Sequence, residues 1–194
     1  MNKLNIVFFG AGPVASKSLE FLAENYNIEA VVTKPKPAHH KGDSPVYDLA
    51  EKLNIPVVTA TNKSDLDQKM ASLKFASKLG VIIDFGIIVS QEVIKKFGQG
   101  IVNSHFSLLP EWRGADPITY SLLSGQKTTG VSLMLLTAGM DEGPLLAQEQ
   151  INIDIVDTGI SLTDKLISLS NKMLLENLGR YARGDIKPVD QIEY

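Results

Sequence analysis

The sequence predicts an α/β fold, doubly wound around a mostly parallel sheet, with an antiparallel strand pair towards the C-terminus. Three observations carry this. Short apolar runs alternate with helix-period segments from Leu4 to His105, the order that builds a parallel sheet with crossover helices on both faces. A glycine-rich turn, Gly10-Ala11-Gly12-Pro13, follows the first apolar run, as a tight strand-to-helix turn requires. Beyond Ser124 the order changes: the runs 129–137 and 144–153 lie six residues apart, too few for a crossover helix, so they pair antiparallel.

Residues 4–9 read as the first buried strand. The helix after it starts near Pro13, since proline suits the first helical turn, and it places Val14, Ser18, Phe21 and Leu22 on one side. Residues 28–33 form the second strand. Residues 34–45 hold three Pro, three Lys, Gly42 and two His, a composition that excludes regular structure. Ser44 caps a helix over 45–53, and 55–58 is the third strand. Ser64, with Asp67 in the first turn, opens a helix running to about Ser77. Residues 80–83 form a fourth strand, which Asp84-Phe85-Gly86 leaves. Ser90 starts a helix that Gly98 stops.

Gly100-Ile101-Val102 begins the strand that ends in Asn103 and His105. A helix follows over about 116–124. The last helix, about 160–183, comes after Asp157-Thr158-Gly159 and repeats Leu162, Leu166, Leu169, Met173 and Leu174 at helical spacing. No repeat, low-complexity tract or internal domain boundary interrupts the pattern.

Composition narrows the function classes. At 194 residues and 44% hydrophobic content the chain can build one domain with a real core. A net charge of −3 gives no global pull towards nucleic acid, so RNA binding needs a local basic patch. Zero cysteines exclude disulfides and thiol catalysis. The N-terminal run is too short to span a membrane and lacks a cleavage pattern, so a cytoplasmic location is expected. There is no HExxH, and His39 and His40 fall in the 34–45 loop, so no metal site is expected.

The chemistry concentrates at Asn103-x-His105. An amide can donate to a developing oxyanion, and an imidazole can carry a proton near neutral pH. Their spacing puts both on one face of a strand. A carboxylate at Asp141 could orient the imidazole, although an Asp before a glycine-containing turn is also an ordinary turn residue. The turn Gly10-x-Gly12-x-x-Ala15 formally fits a dinucleotide fingerprint, yet the second strand ends in Thr33-Lys34 without the ribose-binding acid. An NAD(P) oxidoreductase thus stays as a different-class alternative, beside a non-catalytic folate- or nucleotide-binding module.

Read together, Asn103-x-His105-x-Ser107-Leu108-Leu109-Pro110, Trp112-Arg113-Gly114-Ala115-x-Pro117-Ile118, Thr129-Gly130-Val131 and Asp141-x-Gly143 resemble the formyltransferase family that uses 10-formyltetrahydrofolate. The resemblance spans about 4–188 and is strongest to the N-terminal catalytic domain of the methionyl-tRNA formyltransferase branch. It implies a Rossmann-like formyltransferase fold and transfer of a formyl group to a primary amine, with Asn103, His105 and Asp141 catalytic. It implies folate contacts from Phe85, Gly86, Ile87, Ile88 and Val89 and from Ala138, Gly139 and Met140. The acceptor side is implied to include Gly10, Gly12, Ser107, Leu108, Leu109, Pro110, Trp112 and Arg113, with Lys34, Lys36 and Lys41 meeting the phosphates of methionyl initiator tRNA. An amino sugar nucleotide is the next acceptor. No membrane and no obligate protein partner is implied.

Two departures stand out. Phe106 replaces the usual Gly or Pro after the histidine and needs extra room. By the resemblance, residues 1–188 are expected to be the catalytic domain and 189–194 the start of a linker or tail, with no C-terminal RNA-binding domain expected before Tyr194.

Overall fold

The computed structural model describes residues 3–36 and 44–192, which fall into two compact units, Met1–Ile101 and Val102–Tyr194. The expected α/β class is what both halves are made of. In the first unit the strands are β1 (Asn5–Phe9), β2 (Asn27–Thr33), β3 (Val57–Thr59) and β4 (Gly80–Ile82). They lie in the order β3-β2-β1-β4, and each neighbouring pair is parallel. Ile6, Val7, Phe8 and Phe9 are wholly buried, as a continuous apolar run should be in a strand with neighbours on both edges. The Phe9 ring meets Phe85 and Phe97 edge-on at 5.8 and 5.9 Å, and Phe75 stacks on Phe97.

The helices are α1 (Pro13–Asn25), α2 (Pro45–Lys52), α3 (Lys63–Ser72) and α4 (Gln91–Ile94). Several ends differ from expectation for identifiable reasons. Helix α1 buries Ala15, Ser18, Leu19 and Leu22, a stripe rotated from the expected one. Strand β3 begins at Val57 because the Ile55 N–H is already bonded to the Ala50 carbonyl at the end of α2. Helix α3 is capped by Asn62, which accepts from the Asp65 N–H, rather than by Ser64. It stops at Ser72 instead of near Ser77, since Glu29 on β2 accepts from the N–H groups of Ala76 and Ser77 at 2.8 and 2.7 Å. A side chain has captured the donors that a longer helix would need.

The second unit contains β5 (Ile101–His105) from Val102 onward, α5 (Pro117–Leu123), β6 (Thr128–Leu135), β7 (Leu145–Asn152) and α6 (Gly159–Ala182). The antiparallel pairing of β6 with β7 is as expected, and β5 extends it: Asn103 stands opposite Met134, and His105 opposite Ser132. Helix α6 lies against β6, β7 and α5 through Leu162, Leu166, Met173, Leu174 and Leu178. A reciprocal capping box joins Thr158 and Ser161 at its start. No helix among the described residues is long and apolar enough to cross a membrane.

Asp157 anchors that start. Its carboxylate accepts from Lys165 at 2.8 Å, from the Ser161 hydroxyl at 2.7 Å and from the Asp154 N–H at 2.8 Å. The Lys165 contact leads in pulling its pKa from 3.8 down to about 2. A carboxyl depressed on folding adds stability above its unfolded value, and that contribution fades as pH falls through the folded value. Asp157→Asn is therefore expected to lower Tm near neutrality, and the gap from the parent should close between about pH 4 and pH 2. Melting curves across that range check it; a gap independent of pH would contradict this account.

Candidate active site

Strand β5 sets the site in the second unit. Asn103 and His105 alternate past buried Ser104, so the pleat directs both side chains to one face. The Asp141 carboxylate, carried by the loop between β6 and β7, lies against them. Its Oδ1 accepts from Asn103 Nδ2 at 3.2 Å, and its Oδ2 accepts from the Gly114 N–H at 2.8 Å. The same Oδ2 stands 3.6 Å from His105 Nδ1. The His105 and Asp141 side chains are only 7% and 13% exposed, so water screens this cluster weakly.

The protonation pattern of the ring follows from its partners. His105 Nε2 lies 2.9 Å from the Trp112 carbonyl oxygen. A carbonyl only accepts, so Nε2 carries a hydrogen. In neutral imidazole Nδ1 is then bare, and 3.6 Å is too long for a hydrogen bond to Asp141. A second proton would arrive on Nδ1, facing the carboxylate.

Both loops carrying these contacts have strained backbone. Trp112, Asp116 and Asp141 adopt positive φ of 56, 57 and 52°, and Gly114 has φ 92°. Such angles cost a non-glycine residue about 1 kcal/mol or more and collect where surrounding contacts impose them. Gly143 admits no side chain, since a Cβ there would collide with the Leu135 carbonyl.

The stretch after His105 is a scaffold. The wholly buried Ser132 hydroxyl donates to the Ser107 carbonyl and accepts from the Leu109 N–H and from Gln148 Nε2. The Ser107 hydroxyl donates to the Glu111 carbonyl, Leu109 is 4% exposed, and the Leu109–Pro110 peptide is cis. Leu108 covers Gly130. The Ser107 and Leu109 side chains therefore have structural occupations. Phe106 is accommodated at 7% exposure. Trp112 stacks on Tyr120, and its indole N–H donates to Gln126. Ala138 and Met140 are exposed, and the Met140 sulfur leans towards Gly114. Gly139 closes on Glu142.

In the first unit, β1 lies between β2 and β4, so the chain turns in opposite directions from it. Open α/β sheets bind ligands at such a switch point. The Gly10–Gly12 turn and the segment from Asp84 leave there, joined by the bond from the Ala11 N–H to the Asp84 carbonyl. The Asp84 carboxylate fills the space a side chain on Gly12 would need. Its pKa is raised by burial, an effect that the charge of Lys34 opposes. A carboxylate on this turn repels a pyrophosphate, which argues against the dinucleotide alternative. The sequence places Asp84 at the exit of this strand, but its closure over Gly12 shows only in the fold.

The remaining predicted contacts of this unit are unequal. The Phe85 side chain is 3% exposed and packs on Phe9, so only its backbone is available to a ligand. Gly86 has φ 65° beneath the Lys34 ammonium. Ile88 is 70% exposed, with Ile87 and Val89 half-buried. Lys36 is bonded to Asp48 at 2.8 Å and Glu51 at 3.0 Å, contacts that raise its pKa, Asp48 foremost. Two carboxylates already meet its charge, which tells against a role in phosphate binding. Lys41, with His39 and His40, lies outside the described residues.

The formyl transferase family model matches residues 4–178. This chain belongs to that family. The methionyl-tRNA formyltransferase of Coxiella burnetii is 33% identical over 98% of the chain and 62% of its own length. The chain thus spans about three-fifths of that curated relative. A phosphoribosylglycinamide formyltransferase structure from Anaplasma phagocytophilum superposes with a TM-score of 0.79 at 20% identity, covering 96% of this chain and 90% of that one. The N-formyltransferase of Helicobacter canadensis, solved with folinic acid and dTDP-3-aminofucose, gives 0.75 at 24% identity over 100% and 68%. At these identities the two structures establish the shared fold, and family membership rests on the sequence match.

The carbonyl contact makes a direct prediction. Nitrogen-15 NMR of the neutral His105 ring should find the proton on Nε2. A ring protonated on Nδ1 instead would contradict the geometry.

Proposed function

We propose that this formyl transferase family chain moves a formyl group from 10-formyltetrahydrofolate to a primary amine, with methionyl-tRNA as the acceptor. The observation that carries the reading is the convergence of Asn103 Nδ2 and His105 Nδ1 on the Asp141 carboxylate. The two groups already face negative oxygen, and the oxygen of the transferred group becomes negative as the amine adds to its carbon. The acceptor is drawn from the relatives that share a third of the sequence over nearly all of this chain.

One N–H of Asn103 holds Asp141, and the amide has a second for the developing oxyanion. Protonated His105 donates its Nδ1–H to the same oxygen while the Trp112 carbonyl anchors Nε2. As the amine nitrogen bonds to the formyl carbon and the bond to the folate nitrogen breaks, His105 passes its proton to the departing nitrogen. Asp141 accepts the amine's proton through water. Donors fixed before reaction stabilise charge without reorganising, which is why such groups contribute strongly to rate. For the donor, the backbone of 85–89 offers amides and carbonyls to a pterin edge, with Gly86 allowing close approach and exposed Ile88 supplying apolar surface.

Incubation of the protein with the formyl-folate donor and separate amines, read by acceptor mass, tests the reading. Methionyl-tRNA should gain one formyl group. Gain on an amino sugar nucleotide alone would replace the acceptor. Donor binding with no gain on any amine would leave only a folate-binding module.

Asn103→Ala is expected to keep the fold and donor binding and to lose about 10²–10³ in turnover, the usual effect of removing one oxyanion donor. Circular dichroism, donor titration and kcat check the three parts. A folded variant with parental kcat would remove Asn103 from the chemistry.

A further inference from the structure

We infer that Gln191 is a positioning residue of the transfer site, holding the Asp141 loop through a single side-chain amide. The inference rests on the reading of Asn103, His105 and Asp141 given above. Gln191 Nε2 donates to the carbonyls of Asp141 and Gly143 at 2.7 and 2.9 Å. Its Oε1 accepts from Arg113 Nε and Nη2 at 3.2 and 2.8 Å. Both N–H bonds and both lone pairs of the amide are thereby engaged.

The connection has consequences at both ends. Asp141 has positive φ, a backbone state that persists only under outside constraint. Gln191 binds the carbonyl of that residue and the one two positions on, bracketing Glu142. The opposite end grips Arg113, between Trp112, whose carbonyl anchors His105, and Gly114, whose N–H holds Asp141. One amide therefore ties together the two loops that orient the catalytic carboxylate and imidazole. Residue 191 is itself fixed: Val189 and Leu145 exchange backbone hydrogen bonds at 2.7 and 2.9 Å.

The chemistry of the site selects glutamine. Glutamate could accept from Arg113, but it would turn oxygen rather than N–H towards two carbonyls. Alanine removes both connections. Gln191 touches none of the reacting groups, so its effect passes through Asp141 and Arg113.

The test compares Gln191→Ala and Gln191→Glu with the parent in kcat, donor KM, thermal unfolding and the ring NMR signals of His105. Both variants should fold, keep donor KM within a few-fold and lose kcat by about 10²-fold, the scale of an ångström of misplacement at a reacting centre. Their His105 signals should shift. Glutamate should be as defective as alanine, since it lacks the donors to the loop. A folded variant with parental kcat and unchanged His105 signals would overturn the inference. So would unfolding of both variants, which would make Gln191 a stability residue only. If the parent formylates no amine, the functional reading fails separately, and the His105 signals still report on Gln191.

Discussion

The Asp141 carboxylate is the contact on which the second unit's site depends. It is approached from β5 by Asn103 and His105 and from the following loop by the Gly114 N–H. The two approaches come from different segments and meet at one anion. A largely covered carboxylate needs several donors to offset its desolvation. That requirement draws the strand and loop into one arrangement. The strained φ values at Trp112, Asp116 and Asp141 are the local cost of meeting it.

Stiffness beneath the site comes from buried polar groups with complete partners. Ser132, opposite His105 in the ladder, holds both sides of the turn after the histidine through the Ser107 carbonyl and Leu109 N–H. Gln148 on β7 adds bonds to Ser132 and to the Leu109 carbonyl. Such a network specifies one conformation, because any other would leave a buried donor or acceptor unmet. The Trp112 carbonyl then reaches His105 from a loop whose indole is itself secured by Tyr120 and Gln126.

The first unit shows how a familiar turn can be diverted. Gly10 and Gly12 have the spacing of a nucleotide-binding loop, but Asp84 fills the space beside Gly12. Small residues at this turn admit a neighbouring side chain as readily as a ligand. Burial and Lys34 act in opposite directions on that carboxyl.

The sequence by itself determined what depends on local period and local sterics. Alternating apolar runs set the α/β order, a short connection made β6 and β7 antiparallel, and period two placed Asn103 and His105 on one face. The resemblance to the family motif singled out Asp141, which the fold brings to Asn103 across 38 positions. What only the tertiary structure decided involves groups distant in sequence competing for the same partner. Glu29 ends α3 by taking the N–H groups of residues 47 and 48 positions away. Asp48 and Glu51 draw Lys36 onto α2, and Asp84 fills the space at Gly12. Gln191 meets Asp141 across 50 positions in a stretch that reads as a plain tail. A lone glutamine carries no period and no turn preference, so its use becomes visible only once folding brings two carbonyls and a guanidinium to its amide.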